Sequence, residues 1–285
     1  MRFLEFLKAV FLGIVEGITE WLPISSTGHM ILVDEFLSLD ISPEFRELFL
    51  VVIQLGAILA VPCLFFRKLN PFSKTKNEQE RRLTWNLWGK VIVGVLPAAV
   101  LGLLLEDLLD QYLMNHIVVC ITLVLYGVLF IVIERLRERE TQCGIGYRVE
   151  RVEDLSYKDA FIIGCYQVLS LIPGTSRSGS TILGGMLSGV SRTASAEFSF
   201  FMAIPVMLGA SGLKILKFIL EGAVATTEEI LLLVVGLAVA FLVSLACIRF
   251  LMDFVKRHTF RAFGIYRIVL GIVVLGYFLV SLALA

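Results

Sequence analysis

Six apolar runs, each long enough or nearly so to cross a hydrocarbon layer of roughly 30 Å, constrain this chain more than any other feature. They are Leu48 to Phe66, Leu87 to Leu105, Ile117 to Ile133, Phe198 to Leu213, Ile230 to Ile248 and Ile265 to Ala285. A lipid interior offers no partner to a free N–H or C=O, so runs of this length imply helices whose backbone bonds close within the segment. The expected fold is therefore an all-α polytopic membrane protein with six transmembrane helices. The rest of the composition agrees: 58% of the 285 residues are hydrophobic and 18% charged, and the mean hydropathy is +0.87. The first apolar stretch contains Glu16 and Glu20, so it is not read as a removed signal peptide. Net charge is zero, which gives no electrostatic case for a nucleic-acid partner. The five cysteines are scattered without a CxxC pair and read as small core residues rather than zinc or redox ligands.

The distribution of basic residues sets an expected topology. Clusters at Arg67 to Lys90, Arg135 to Lys158 and Arg249 to Arg267 alternate with connections at Glu106 to His116 and Phe218 to Glu229 that hold no Lys or Arg. The basic clusters are assigned to the cytoplasmic side and the others to the outside. Lys214 and Lys217, at the outer end of the fourth run, fit this pattern poorly.

Sliding the chain on itself by 151 positions pairs Gly13 with Gly164, Glu16 with Gln167, Ser25 with Ser176, Thr27 with Ser178 and Gly28 with Gly179. A span follows each copy, "EFRELFLVVIQLGA" from Glu44 and "EFSFFMAIPVMLGA" from Glu197. By the charge pattern these two spans enter from opposite sides. The halves, 1–140 and 151–285, are thus expected to form an inverted-topology repeat within one integrated domain, with sites where interrupted segments converge. The stretches ahead of the paired spans, 3–37 and 160–190, are short apolar pieces broken by Pro, Gly and Ser. Neither piece can cross alone, so both are expected to be re-entrant helix hairpins, buried in protein or lining a wet cavity.

The hairpin tips carry the candidate chemistry. In "EGITEWLPISSTGH", Glu16 and Glu20 share a helix face, where two carboxylates repel unless a proton, a cation or a basic group is shared. Pro23 ends that helix, and Ser25, Ser26, Thr27 and His29 open the next. A helix restarting there exposes N–H groups that suit an anion, although Ser25 could also serve simply as an N-cap. In "PGTSRSGST", Pro173 and Gly174 break the backbone while Ser176, Ser178 and Thr181 surround Arg177. A guanidinium among so many hydroxyl donors points to an oxyanion, and its planar fork suits phosphate. GxxxxGK[ST] is absent, so this is not a P-loop. Gln54 reads equally as a cavity residue or a helix–helix hydrogen bond, and Arg192 and Glu197 as pair-forming residues at the inner interface.

With these motifs the sequence resembles the undecaprenyl-pyrophosphate phosphatase family of bacterial inner membranes, the bacitracin-resistance type. The likeness runs the length of the chain, through "VVIQLGAILAV" and "GVSRTASAEFSF" as well as the two tips. Leu50 departs from it, standing where the family often has Glu. The resemblance implies hydrolysis of the lipid undecaprenyl pyrophosphate to the monophosphate, with a divalent cation, Mg²⁺ or Ca²⁺, and an active site open to the periplasm or cell exterior. It carries over, as site residues, Glu16, Glu20, Ser25, Ser26, His29, Ser176, Arg177, Ser178 and Thr181. It leaves homodimer assembly open. The other lipid-phosphatase signature, PSGH with SRxxxxxHxxxD, is only echoed by "STGH" and "SRS".

Within that expectation Arg177, Ser25, Thr27, Ser176, Ser178 and Thr181 bind phosphate, and Glu16 and Glu20 hold the cation. Ser26 is the expected nucleophile, activated by Glu20 or His29, with direct attack by water as the rival. His29 alternatively protonates the leaving phosphate. The rival class is a transporter for prenyl phosphate, which shares broken helices and inverted repeats but has less use for paired acids, hydroxyls and a histidine together.

Overall fold

A computed structural model describes residues 3–284, apart from the side chains at 34, 35, 106, 107, 110 and 282–284. The last residue of the sixth expected span, Ala285, and the first two residues of the expected first half therefore lie outside the described residues. The chain runs α1 (Phe3–Thr19), α2 (Ser26–Leu37), α3 (Pro43–Leu64), α4 (Phe66–Leu69), α5 (Glu78–Leu113), α6 (His116–Gln142), α7 (Tyr157–Val168), α8 (Arg177–Leu187), α9 (Arg192–Leu220), α10 (Thr227–Arg257) and α11 (Arg261–Leu284). Among the described residues there is no strand. Six helices, α3, α5, α6, α9, α10 and α11, are long and apolar enough to cross a membrane. They contain the six expected runs, except that the first run's end is taken up by the short α4.

Helix starts follow local chemistry. Asn77, Ser156 and Thr226 each accept a hydrogen bond from the third backbone N–H of the following helix, while Glu80, Asp159 and Glu229 reach back to the cap. Two orphan donors are satisfied at each start. Glu229 also accepts from the backbone N–H and hydroxyl of Ser42 at 3.0 and 2.6 Å, tying the start of α10 to that of α3.

The short helices dock by glycine. A Cβ on Gly13 of α1 would lie 2.8 Å from the Gly236 carbonyl oxygen of α10, and one on Gly17 equally close to that of Ala240. Gly164 of α7, the match of Gly13 at the 151-residue offset, packs against the backbone of Gly94 in α5. Matched glycines thus do matched work, letting a short helix lie directly against a long one. Helices α6 and α11 meet the same way, through Gly127 and Gly264. Between these pairs the core is filled by Trp21, Phe130, Phe198, Phe200, Phe201 and Met202, each essentially inaccessible to solvent.

Ion pairs gather at the basic end. Lys68 reaches Glu153 at 2.8 Å and Glu197 at 2.6 Å, Lys90 donates to the Glu153 carbonyl at 2.9 Å, and Arg192 grips the fully buried Glu134. Arg192 and Glu197 are both paired, but with these partners on other elements and not with each other. Lys214 pairs with Glu47 at 2.6 Å, which gives a reason for a lysine at that end of α9. Two sequence expectations are corrected. The basic-free stretch Glu106 to His116 is mostly helix, because α5 continues to Leu113. Arg267, counted with the third basic loop cluster, lies inside α11 and is wholly buried.

Candidate active site

The turns between α1 and α2 and between α7 and α8 have the same local form. Ser25 and Ser176 are the non-glycine residues with positive φ among those described, at 74° and 72°. Each is an N-cap whose hydroxyl accepts from the third residue on, Gly28 N–H or Gly179 N–H, both at 3.2 Å. Such backbone is uncommon outside glycine and costs of order 1–3 kcal/mol where its surroundings enforce it. Both turns therefore aim the exposed N–H end of a short helix at a point set by the protein's packing, the arrangement that suits an anion.

The two tips touch through charge. Arg177 at the start of α8 donates from Nη2 to Glu20 Oε1 at 3.1 Å and from Nη1 to the Ser199 carbonyl of α9 at 2.7 Å. Its guanidinium carbon lies 5.9 Å from the centre of the Trp21 ring. The other Glu20 oxygen, Oε2, accepts from the Ser26 hydroxyl at 2.9 Å. One carboxylate thus joins the serine of one tip to the arginine of the other. Arg177 Nε and Glu16 Oε1 are buried and have no hydrogen-bond partner among the described residues. Buried polar atoms left this way are costly unless something supplies the missing partner.

The remaining hydroxyls sort by partner. Thr181 is fully buried and bonds the Ser199 hydroxyl at 2.7 Å and the Arg177 carbonyl at 2.9 Å. Ser178 donates to the carbonyls of Glu20 and Leu22, at 3.3 Å each, and is 3.1 Å from the Ser176 hydroxyl. In this structure Ser178 knits one tip to the other and Thr181 ties the α8 tip to α9, while Thr27 is exposed beside Ser26.

His29 lies one turn into α2. Its Nδ1 is 2.7 Å from the Ser25 carbonyl, an acceptor only, so Nδ1 carries the proton. Its Nε2 is 2.7 Å from the Tyr266 hydroxyl and, when it carries no proton, accepts from it. The rings of His29 and Tyr266 lie parallel at 5.6 Å. Tyr266, Ser199, Trp21 and Arg267 were not singled out as site residues from the sequence. Arg267 is marked by its place within an apolar run, whereas the other three carry no local mark.

Gathering of acids, hydroxyls, a histidine and an arginine at two restarting helices is the pattern on which the sequence resemblance rested. The family profile "Bacitracin resistance protein BacA" matches residues 9–273. The chain belongs to this BacA family. An undecaprenyl-diphosphatase of Enterococcus faecalis is 53% identical over 281 residues, spanning 99% of this chain and 100% of that protein. The undecaprenyl-diphosphatases of Limosilactobacillus fermentum and Acetivibrio thermocellus are 55% and 53% identical over 275 and 276 residues, each covering at least 96% of this chain and 98% of the relative. In this BacA-family chain no three His, Cys, Asp or Glu side chains converge among the described residues. A cation cage made wholly of such side chains is therefore lacking there. What the site offers is the pair Glu16 and Glu20, with Glu16 Oε1 unpartnered. That donor set fits Mg²⁺, which is typically held by one or two carboxylates and completed by waters and substrate phosphate.

Proposed function

We propose that this multi-pass membrane protein is an undecaprenyl-pyrophosphate phosphatase, releasing inorganic phosphate and returning undecaprenyl phosphate for cell-wall synthesis. The names and near-complete coverage of its relatives support the substrate. The observation that carries the chemistry is the Ser26–Glu20–Arg177 chain of hydrogen bonds across two tips that are 157 residues apart in sequence.

In this reading Arg177 binds the terminal phosphate through its unpartnered Nε and the spare N–H of Nη2, a bidentate edge. The backbone N–H groups opening α2 and α8 add to the cradle. Ser26 Oγ attacks the terminal phosphorus as its proton passes to Glu20 Oε2. The Oγ–P bond forms, the bridging P–O bond breaks, and its electron pair leaves with the prenyl monophosphate. Glu20 returns that proton to the leaving oxygen; in the second step it takes one from the water that attacks the phosphoserine and, as the P–Oγ bond breaks, gives it to the departing Ser26 Oγ, restoring both groups. The Ser26–Glu20 contact favours Glu20 as base, whereas His29 is engaged by Ser25 and Tyr266 and orients the start of α2 in the resting site. A divalent cation held by Glu16 and Glu20 would neutralise charge on the phosphate oxygens.

The halves are read as an inverted repeat, with α1–α2 and α7–α8 as re-entrant hairpins and the site open to the outer face. The shared serine geometry and the exchange of packing partners support this, α1 lying on α10 and its counterpart α7 on α5. The test is phosphate release from undecaprenyl pyrophosphate by purified protein in detergent, with and without a chelator. Release that stops on chelation and returns with Mg²⁺ or Ca²⁺ is expected. Specific binding of the lipid without release would favour the transporter class.

A further inference from the structure

Arg267 is wholly buried, with no solvent-accessible surface. Among the described residues no carboxylate pairs with it. Its Nη1 donates to the Pro23 carbonyl at 3.1 Å, its Nη2 to the carbonyls of Gly174 at 2.7 Å and Thr175 at 3.1 Å, and its Nε to that of Leu123 at 3.5 Å. The Tyr126 ring covers one face, with its centre 5.4 Å from the guanidinium carbon. A charge buried without a counter-ion is expensive, and an apolar side chain would fill the same space more cheaply. Stability alone is a poor reason for this arginine.

Its acceptors suggest a better one. Pro23 lies two residues before Ser25, and Gly174 and Thr175 immediately precede Ser176. Ser25 and Ser176 carry the left-handed φ values and are the N-caps from which α2 and α8 start. One guanidinium therefore grips the backbone just upstream of both strained residues, one tip with each Nη. It also lies close behind the first turn of α8, since a Cβ on Gly179 would be 3.3 Å from Nη1. Thr122 does a smaller version of this work. Thr122 and Arg267 are each the seventh residue of their helices, α6 and α11, and the Thr122 hydroxyl donates to the Pro173 carbonyl at 2.7 Å. The threonine reaches one tip, and only the longer forked arginine spans both.

We propose that Arg267 is a positioning residue for the reaction, locking the two oxyanion-binding turns in register and placing fixed positive charge behind them. This rests on the hydrolase reading above. It touches no substrate and acts through Ser25 and Ser176, which set where the α2 and α8 N–H groups point. Strained backbone persists only where its surroundings over-determine it, and a displacement of about 1 Å in such groups costs on the order of 100-fold in rate.

The experiment compares the wild type with R267K and R267Q, purified at full length in detergent. Melting temperature, kcat and KM for undecaprenyl pyrophosphate, and hydrogen–deuterium exchange over segments 21–28 and 172–179 are read for each. Both variants should remain folded. R267Q should lose roughly 100-fold in kcat with KM changed by less than about 3-fold, and R267K, which keeps the charge but grips one tip at a time, should recover part of that loss. Exchange should accelerate at least about 10-fold in both tips together and little elsewhere. Wild-type kcat in R267Q would overturn the proposal, as would acceleration in one tip alone. Activity lost only in proportion to folded protein, or failure of both variants to fold, would assign Arg267 to the fold instead and equally overturn it. If wild-type protein released no phosphate, the hydrolase reading would fall, and paired or unpaired exchange of the tips would still decide the positioning role.

Discussion

Arg177→Lys isolates the fork from the charge. Arg177 spends Nη1 on the Ser199 carbonyl and one Nη2 proton on Glu20, leaving Nε and a second Nη2 proton for an incoming phosphate. A lysine at this position has a single nitrogen, and the nearby carbonyl and carboxylate compete for it. It therefore forfeits the bidentate grip, two charge-assisted hydrogen bonds worth about 1.5–3 kcal/mol each. Allowing for one replacement bond from the ammonium, a net loss of about 1.5–3 kcal/mol is expected in transition-state binding, or roughly 10- to 150-fold in kcat/KM. The melting temperature should move less than for removal of the charge, because Glu20 keeps a cationic neighbour. The assay is release of inorganic phosphate from undecaprenyl pyrophosphate in detergent, with melting followed in parallel. A folded R177K enzyme within 3-fold of wild-type kcat/KM would refute the bidentate clamp, and with it the significance given to the unpartnered Nε.

Three further expectations follow from other parts of the molecule. Gly174→Ala places a Cβ against Thr122 Oγ1 and 2.8 Å from the Val119 carbonyl oxygen at a φ of +86°; it should cost more than about 1 kcal/mol and depress activity beyond its effect on melting. Glu134→Gln weakens the carboxylate that holds Arg192 and the Phe260 N–H at zero exposure; a loss of about 3 kcal/mol in stability, seen by thermal or denaturant unfolding, is expected with little change in KM. Glu153 lies in the basic end outside the spans. Burial tends to raise its carboxyl, but the Lys68 hydrogen bond and charge, its own backbone N–H and the Arg151 charge together outweigh that and hold it below the ordinary value of 4.5, so its contribution is complete above about pH 4.5 and is lost as pH falls through the lower folded value. Glu153→Gln should therefore flatten the acid limb of melting temperature against pH, and an unchanged acid limb would remove Glu153 from that account.

Much of the site was legible because broken helices announce themselves. Pro23, Pro173 and Gly174 interrupt apolar pieces too short to cross, and a glutamate pair or an arginine in such a place demands a partner. The 151-residue match went further, since Ser25 and Ser176 proved to share a backbone conformation as well as a position. Charge counting was less discriminating. It placed Arg267 with Arg249, Lys256, Arg257 and Arg261 because they are neighbours in sequence, yet six residues into α11 the chain has already entered the protein interior. It also read Glu106 to His116 as a connection, where helical backbone bonding carries α5 on to Leu113.

Hydropathy and periodic interruption, both properties of nearby residues, determined the helical class, the six spans and the two tips. Pairing across the molecule could not be determined that way. That Glu20 would join Ser26 to Arg177, that Tyr266 would meet His29, and that one arginine on the last helix would hold both tips depended on how glycine-lined helices settle against each other. Those contacts link residues more than 90 positions apart, save for Ser26 and Glu20. No local pattern encodes such distances, because they arise from close packing of the whole bundle.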